Sequence, residues 1–208
     1  DKSIKPQENI TRIYPQKNLF SHIVGQIDDD NLGISGLEKS LDDKLKNSQK
    51  DIKLTVDKDI QYLIRNELIK YNEIFQTLGS AAILMNVNNG EVISLVSLPD
   101  FDLNERANIT DKNFINRATK GVYELGSVFK TFTLAAALNE GSLDINTEFR
   151  DLEKTLKCGK NTINEYDDEI PSDLTAEQIL IRSGNIGSVR IAQLIGLEKF
   201  KKFMNELN

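Results

Sequence analysis

The segment that most limits how this chain can fold is Thr131-Phe132-Thr133-Leu134-Ala135-Ala136-Ala137-Leu138, bracketed by Gly126 and by Asn139-Glu140-Gly141. An almost wholly apolar run of this kind predicts a helix that is apolar all round and therefore buried, with Gly141 suited to a left-handed C-terminal cap. Gly126 lets the backbone turn sharply before it, which puts Ser127 at or near the helix N-terminus. The N–H groups and the positive dipole end there favour negative charge, so an oxyanion can be held. Lys130 follows three residues later on the same face, and desolvation near the start of a buried helix lowers an amine toward a usable base. Ser127 and Lys130 thus form a candidate dyad of nucleophile and proton acceptor.

The spacing alone does not decide the matter. With 13 Ser and 19 Lys in 208 residues, about one Ser-x-x-Lys is expected by chance. The plain alternative is a serine that caps the helix and a lysine whose head reaches solvent. Other machinery is scarcer still. His22 is the only histidine and Cys158 the only cysteine, so Ser-His-Asp, Cys-His and Cys/His-rich zinc arrangements lack parts. If the chain does nucleophilic chemistry, lysine is the base to expect. A net charge of −6 and a pI near 5.0 argue against a nucleic-acid surface. No run approaches the roughly 18 apolar residues of a membrane span, and Asp1-Lys2-Ser3 does not begin a signal peptide, so the expectation is a soluble piece.

Residues 1–50 are polar with scattered Pro and Gly, and short strands and turns are expected, with a helix near Ser35–Leu45. Asp28-Asp29-Asp30 lacks the spacing of a calcium loop and reads as a solvated turn; His22 reads as a structural residue. An amphipathic helix begins after Asp57 as N-cap, with Ile60, Leu63, Ile64, Leu68, Tyr71, Ile74, Phe75 and Leu78 along it and Gly79 as its stop. Ala81–Met85 and Val92–Val96 flank Asn88-Asn89-Gly90 and predict an antiparallel hairpin. Pro99 ends the second strand, and 100–111 reads as loop. Gly121 to Gly126 resembles a phosphate-loop frame, but Ser127 stands where its lysine should be. Residues 142–172, including Asp167-Asp168-Glu169, are expected to be mostly loop. A capping signal at Leu174-Thr175 then opens a short helix ending at Ser183-Gly184-Asn185, and helices over Ile186–Ile195 and Leu197–Leu207 close the chain.

Taken together these stretches resemble a class B penicillin-binding protein, a monofunctional peptidoglycan D,D-transpeptidase. The likeness runs from about Arg12 to the end. It is carried by Arg12-x-Tyr14-Pro15, Gly33-x-Ser35-Gly36-Leu37-Glu38, Leu54-Thr55-Val56-Asp57, Leu98 to Asn104, Asn116-Arg117-Ala118, the Ser127-x-x-Lys130 motif and Ser183-Gly184-Asn185. The Glu124 before the first motif and the Ser-x-Asn form of the second are more similar to septal, division-type members. Leu125 stands where many relatives have proline, and no Lys-[Ser/Thr]-Gly, the third member of the signature set, follows Asn185.

The resemblance implies an α+β transpeptidase fold, an antiparallel sheet with helices on its faces, incomplete at the C-terminus and preceded by part of a β-rich N-terminal pedestal. Residues 1–53 would be pedestal and 54–208 the N-terminal portion of the transpeptidase domain. Ser127 would attack the penultimate D-Ala carbonyl of a stem peptide, with Lys130 as base, Ser183 as proton shuttle and Asn185 orienting Lys130. The Ser127 N–H would form half of an oxyanion hole; no cofactor or metal is called for. Implied partners are peptidoglycan stem peptides, β-lactam antibiotics and division or cell-wall synthesis proteins, with no nucleic acid, at the periplasmic face of the inner membrane through an anchor missing from this chain. The expectation is that this chain is a fragment, poorly acylated by penicillin by itself. The alternatives are a serine β-lactamase or D,D-carboxypeptidase, and a non-catalytic cell-wall-binding or β-lactam-sensing module.

Overall fold

The computed structural model describes residues 11–48, 50–105 and 110–207, which divide between two units, Asp1–Val122 and Tyr123–Asn208. The first unit opens with three short helices, α1 (Ser21–Val24), α2 (Gly36–Ser40) and α3 (Asp42–Asn47). The expected short strands and β-rich pedestal do not appear among the described residues. One isolated antiparallel bridge, Ile27 with Gly33, is the strand pairing found before residue 80. The reason is local: polar side chains take the backbone N–H groups that a ladder would need. Ser35 Oγ accepts from Gln26 N at 3.0 Å. Asp28 Oδ1 accepts from the N–H of Asp30 at 2.9 Å and of Leu32 at 2.8 Å. The acidic run is therefore a turn closed by its own first carboxylate. The single helix expected over Ser35–Leu45 is interrupted at Leu41, between α2 and α3.

Long-range polar contacts then tie the early motifs together. Glu38, 5% exposed, takes Arg12 Nη2 on one oxygen at 2.9 Å and Tyr14 OH on the other at 3.3 Å. The Asn104 amide exchanges two hydrogen bonds with the Tyr14 backbone, at 3.0 and 2.9 Å. Arg65 grips Asp100 through Nε at 2.6 Å and Nη2 at 3.2 Å. His22 places Nε2 2.8 Å from the Asn113 carbonyl and stands edge-on to Phe101; burial pushes its pKa below the ordinary value.

Helix α4 (Lys58–Phe75) starts where the sequence places it, with Asp57 Oδ1 accepting from the N–H of Asp59 and Ile60, both at 2.9 Å. Its end differs. Gln76 adopts the left-handed cap at φ 49°, three residues before Gly79, so Leu78 lies outside the helix and is 94% exposed. The predicted apolar stripe is also largely uncovered, with Leu63, Tyr71, Ile74 and Phe75 all exposed. The buried residue of α4 is Gln61. Strands β1 (Ser80–Met85) and β2 (Val92–Leu98) form the expected antiparallel hairpin, in one register from Ser80 opposite Leu98 to Leu84 opposite Ser94, with a shift before Met85 opposite Val92. Asn86 O accepts from Gly90 N at 2.8 Å inside the turn. Of the loop expected over 100–111, residues 106–109 lie outside the described residues. Two short helices, α5 (Asp111–Phe114) and α6 (Arg117–Lys120), complete the unit. No helix among the described residues is long and apolar enough to cross a membrane.

The second unit is built on α7 (Lys130–Asn139), which follows a 3-10 turn, Gly126–Phe129. Its core gathers Leu134, Ala136 and Ala137 with Leu152, Ile170, Leu174, Ile179, Ile186, Ile191 and Ile195. The prediction that α7 is buried all round is too strong: Thr131, Ala135 and Leu138 face outward. Alanine and threonine serve either environment, so an apolar run does not by itself specify two covered faces.

The 142–172 stretch, expected to be mostly loop, contains strands. β3 (Glu148–Phe149) pairs with β6 (Leu174–Thr175), and β4 (Thr155–Cys158) forms a hairpin with β5 (Asn161–Asn164), Leu156 opposite Ile163. Helix α8 (Ala176–Ile181) begins with the predicted capping box: Gln178 N donates to Thr175 Oγ1 at 3.2 Å, and Thr175 N to Gln178 Oε1 at 2.9 Å. α9 (Asn185–Ile195) and α10 (Leu197–Glu206) follow.

Candidate active site

Lys130 is the first residue of α7 and Asn185 the first of α9. α7 packs against both α8 and α9, and this brings the α8–α9 connection, 182–184, to the lysine. The Lys130 Nζ donates to the Ser183 carbonyl at 2.5 Å, to Ser183 Oγ at 3.2 Å and to Asn185 Oδ1 at 2.5 Å. The amine therefore turns into the 183–185 loop. Burial lowers the Lys130 pKa from its ordinary value, partly offset by the negative charge of Glu165.

Ser127 lies in the 3-10 turn one residue after Gly126, whose φ of +56° supplies the turn's entry. Its side chain is exposed. Lys130, Ser183 and Asn185 are thus joined by hydrogen bonds, while none among the described residues links Ser127 Oγ to the Lys130 amine.

The partner set limits what the amine can do. An ammonium group has three N–H donors, and three oxygens receive them here. A neutral amine has two, which the Ser183 carbonyl and the Asn185 amide oxygen, being acceptors only, can take. The lone pair is then left for a hydroxyl proton. Ser183 Oγ is the one member of the trio able both to give and to receive a proton.

Sequence reasoning missed Glu165. It follows β5, and its two oxygens accept from Asn185 N at 2.7 Å and Ile186 N at 2.8 Å. Asn185 Nδ2 donates to the Asn164 carbonyl at 2.8 Å. The signal was faint: Thr155-Leu156-Lys157-Cys158 and Asn161-Thr162-Ile163-Asn164 alternate around Gly159-Lys160, a hairpin pattern whose next residue is an acid. The second acidic run is closed locally, Asp167 Oδ1 accepting from Glu169 N at 2.9 Å.

The penicillin-binding protein transpeptidase domain model matches residues 80–208, more than half of the chain and all four candidate site residues. The chain belongs to the penicillin-binding protein transpeptidase family. Among curated relatives, the "Probable peptidoglycan D,D-transpeptidase FtsI" of Caulobacter vibrioides is 31% identical over 97% of this chain and 34% of its own length. The "Probable peptidoglycan D,D-transpeptidase PenA" of Neisseria meningitidis is 28% identical over 97% of this chain and 39% of its own. Among solved structures, the D,D-transpeptidase domain of a peptidoglycan glycosyltransferase from Eggerthella lenta superposes with a TM-score of 0.71 at 26% identity, covering 92% of this chain and 46% of that one. This transpeptidase-family chain spans less than half the length of these relatives. Its α+β architecture of antiparallel hairpins and helices is shared with the solved transpeptidase domain.

Proposed function

We propose that this chain carries the nucleophile, base and Ser-x-Asn loop of a peptidoglycan D,D-transpeptidase that is acylated by β-lactams. The observation that carries this reading is the Lys130 amine, held by both ends of the Ser183-Gly184-Asn185 loop at 2.5 Å and lowered in pKa by burial. Ser127 Oγ attacks the penultimate D-Ala carbonyl carbon of a stem peptide, and neutral Lys130 takes the hydroxyl proton. Ser183, hydrogen-bonded to that amine, passes a proton to the departing D-Ala nitrogen as the C–N bond breaks. The amine of a neighbouring strand then displaces Ser127 from the acyl-enzyme, completing the cross-link. The Ser127 N–H contributes half of the oxyanion site.

Residues 54–208 are assigned to the transpeptidase domain and 1–53 to a pedestal. The septal form of the motifs supports a division-type enzyme, which would work at the periplasmic face of the inner membrane with other division proteins. The test uses the full-length gene product and a fluorescent penicillin. Covalent labelling is expected in the parent, none in Ser127→Ala, and labelling slowed by about 100-fold or more in Lys130→Ala, the contribution of a positioned general base. Labelling that persists in Ser127→Ala overturns the reading. Rapid release of hydrolysed penicillin would identify a β-lactamase instead.

A further inference from the structure

Besides Lys130 and the end of α8, one tripeptide, Asn164-Glu165-Tyr166, holds the 183–185 loop from outside. Asn164 accepts from Asn185 Nδ2. Glu165 spends both carboxylate oxygens on consecutive N–H groups, Asn185 N and Ile186 N, at the start of the eleven-residue α9. Tyr166 OH donates to the Arg182 carbonyl at 2.9 Å, on the opposite side of the loop. The tripeptide is itself tied down, Glu165 N donating to the Lys154 carbonyl at 2.9 Å. Such restraint is needed, because Ser183 stands at φ +52°, a left-handed conformation that costs a residue with a side chain.

We infer that Glu165 is the positioning residue of this site: it fixes Asn185, and through Asn185 the Lys130 amine. The inference rests on the assignment of Ser127 and Lys130 as nucleophile and base. A carboxylate on two N–H groups at a helix start is among the stronger hydrogen-bond arrangements, being charge-assisted and aligned with the dipole. Of the elements packed against α7, the 3-10 turn has no charged side chain, α8 has Glu177 with Arg182 at its end, α9 has Arg190, and α10 has Glu198, Lys199, Lys201, Lys202 and Glu206. Arg190 is directed to Glu153, Lys199 to Glu140, Lys201 to Glu198 and Lys202 to Glu206. Glu165 is the charged group whose field bears on Lys130, and it favours the protonated form against burial.

The experiment measures the acylation rate of the full-length gene product by fluorescent penicillin between about pH 5 and pH 9, with the melting temperature of each variant recorded alongside. Glu165→Gln keeps the shape but loses the charge and one acceptor. Its rate plateau is expected to fall about 10- to 100-fold, the effect of a misplaced catalytic group. Its acidic midpoint is expected to move to lower pH, because the carboxylate that favours the charged amine is gone. Glu165→Asp retains the charge at shorter reach, and should recover part of the rate at the parent's midpoint. A Glu165→Gln profile with the parent's plateau and midpoint overturns the inference, as does a lost rate with an unmoved midpoint, which is the mark of a purely structural role. If Glu165→Gln does not fold, Glu165→Asp decides: slower acylation at the parent's midpoint and the parent's melting temperature supports the role, and either the parent's rate or a rate lost together with the melting temperature overturns it. Acylation of Ser127→Ala would instead sink the underlying assignment.

Discussion

Gln61 is 1% exposed on α4, and every hydrogen-bonding position of its amide that the neighbours can reach is used. Its Oε1 accepts from Ser94 Oγ at 2.6 Å and Leu95 N at 3.0 Å, and its Nε2 donates to the Leu19 carbonyl at 3.0 Å and the Leu95 carbonyl at 2.8 Å. One side chain thus joins a helix, the inner strand of the hairpin and the segment before α1. A buried amide is tolerated only when satisfied in this way, and the cost of removing it falls on the partners left behind. Gln61→Leu, similar in volume, strands up to four polar groups at once. We expect a loss of about 3 kcal/mol in stability, since each orphaned buried group costs on the order of 1–3 kcal/mol and some will find water. Urea denaturation followed by far-ultraviolet circular dichroism measures it. An unchanged midpoint would mean that the four bonds contribute nothing net.

At the scale of elements, the site depends on how closely α8 and α9 approach, because the loop carrying Ser183 runs between them. Gly187 is the contact point: a Cβ there would lie 2.6 Å from Ile179 Cγ1 and 2.8 Å from its Cδ1, in a core where Ile179 is 1% exposed. Gly187→Ala gains helix propensity, yet overpacking of this kind typically costs about 1–3 kcal/mol. We expect net destabilisation in urea and slower acylation by fluorescent penicillin, as α9 moves and carries Asn185 with it. Full acylation in a destabilised variant would show that the loop is held independently of the helix pair. The elements also show what local sequence can and cannot convey. Asp57, Thr175 with Gln178, and Asn88-Asn89-Gly90 act on backbone within a few residues, so the starts of α4 and α8 and the β1–β2 turn were legible. The β4–β5 hairpin was not, because Leu156 and Ile163 are its only strongly apolar pair in a polar stretch, and Glu165 stayed hidden with it. The end of α4 went the other way, Gln76 taking a left-handed cap that glycine statistics assign to Gly79. The spacing made Lys130 and the 183–185 loop candidates, but their meeting depends on α7 packing against α8 and α9, a contact between segments some fifty residues apart that no local pattern encodes.

For the whole molecule, two quantities read separately from the sequence combine into a solution property. The net charge is −6 at pH 7 and vanishes near pH 5.0. Exposed apolar side chains lie both on α4 and on the hairpin, with Tyr71 48%, Ile74 60%, Phe75 70%, Met85 50% and Val87 92% exposed. Exposed apolar groups favour association by removing their area from water, and net charge of one sign opposes it. The opposition disappears as the pH approaches the isoelectric point. The 208-residue chain is therefore expected to associate reversibly near pH 5 and to disperse at pH 8, as measured by light scattering at constant ionic strength. The double variant Ile74→Gln, Phe75→Gln leaves the charge at every pH unaltered and removes two of the largest exposed apolar side chains. It should weaken association at pH 5 without lowering the melting temperature, since neither residue is buried. Scattering that follows pH identically in parent and variant would assign the association to charge neutralisation alone, with the α4 stripe uninvolved.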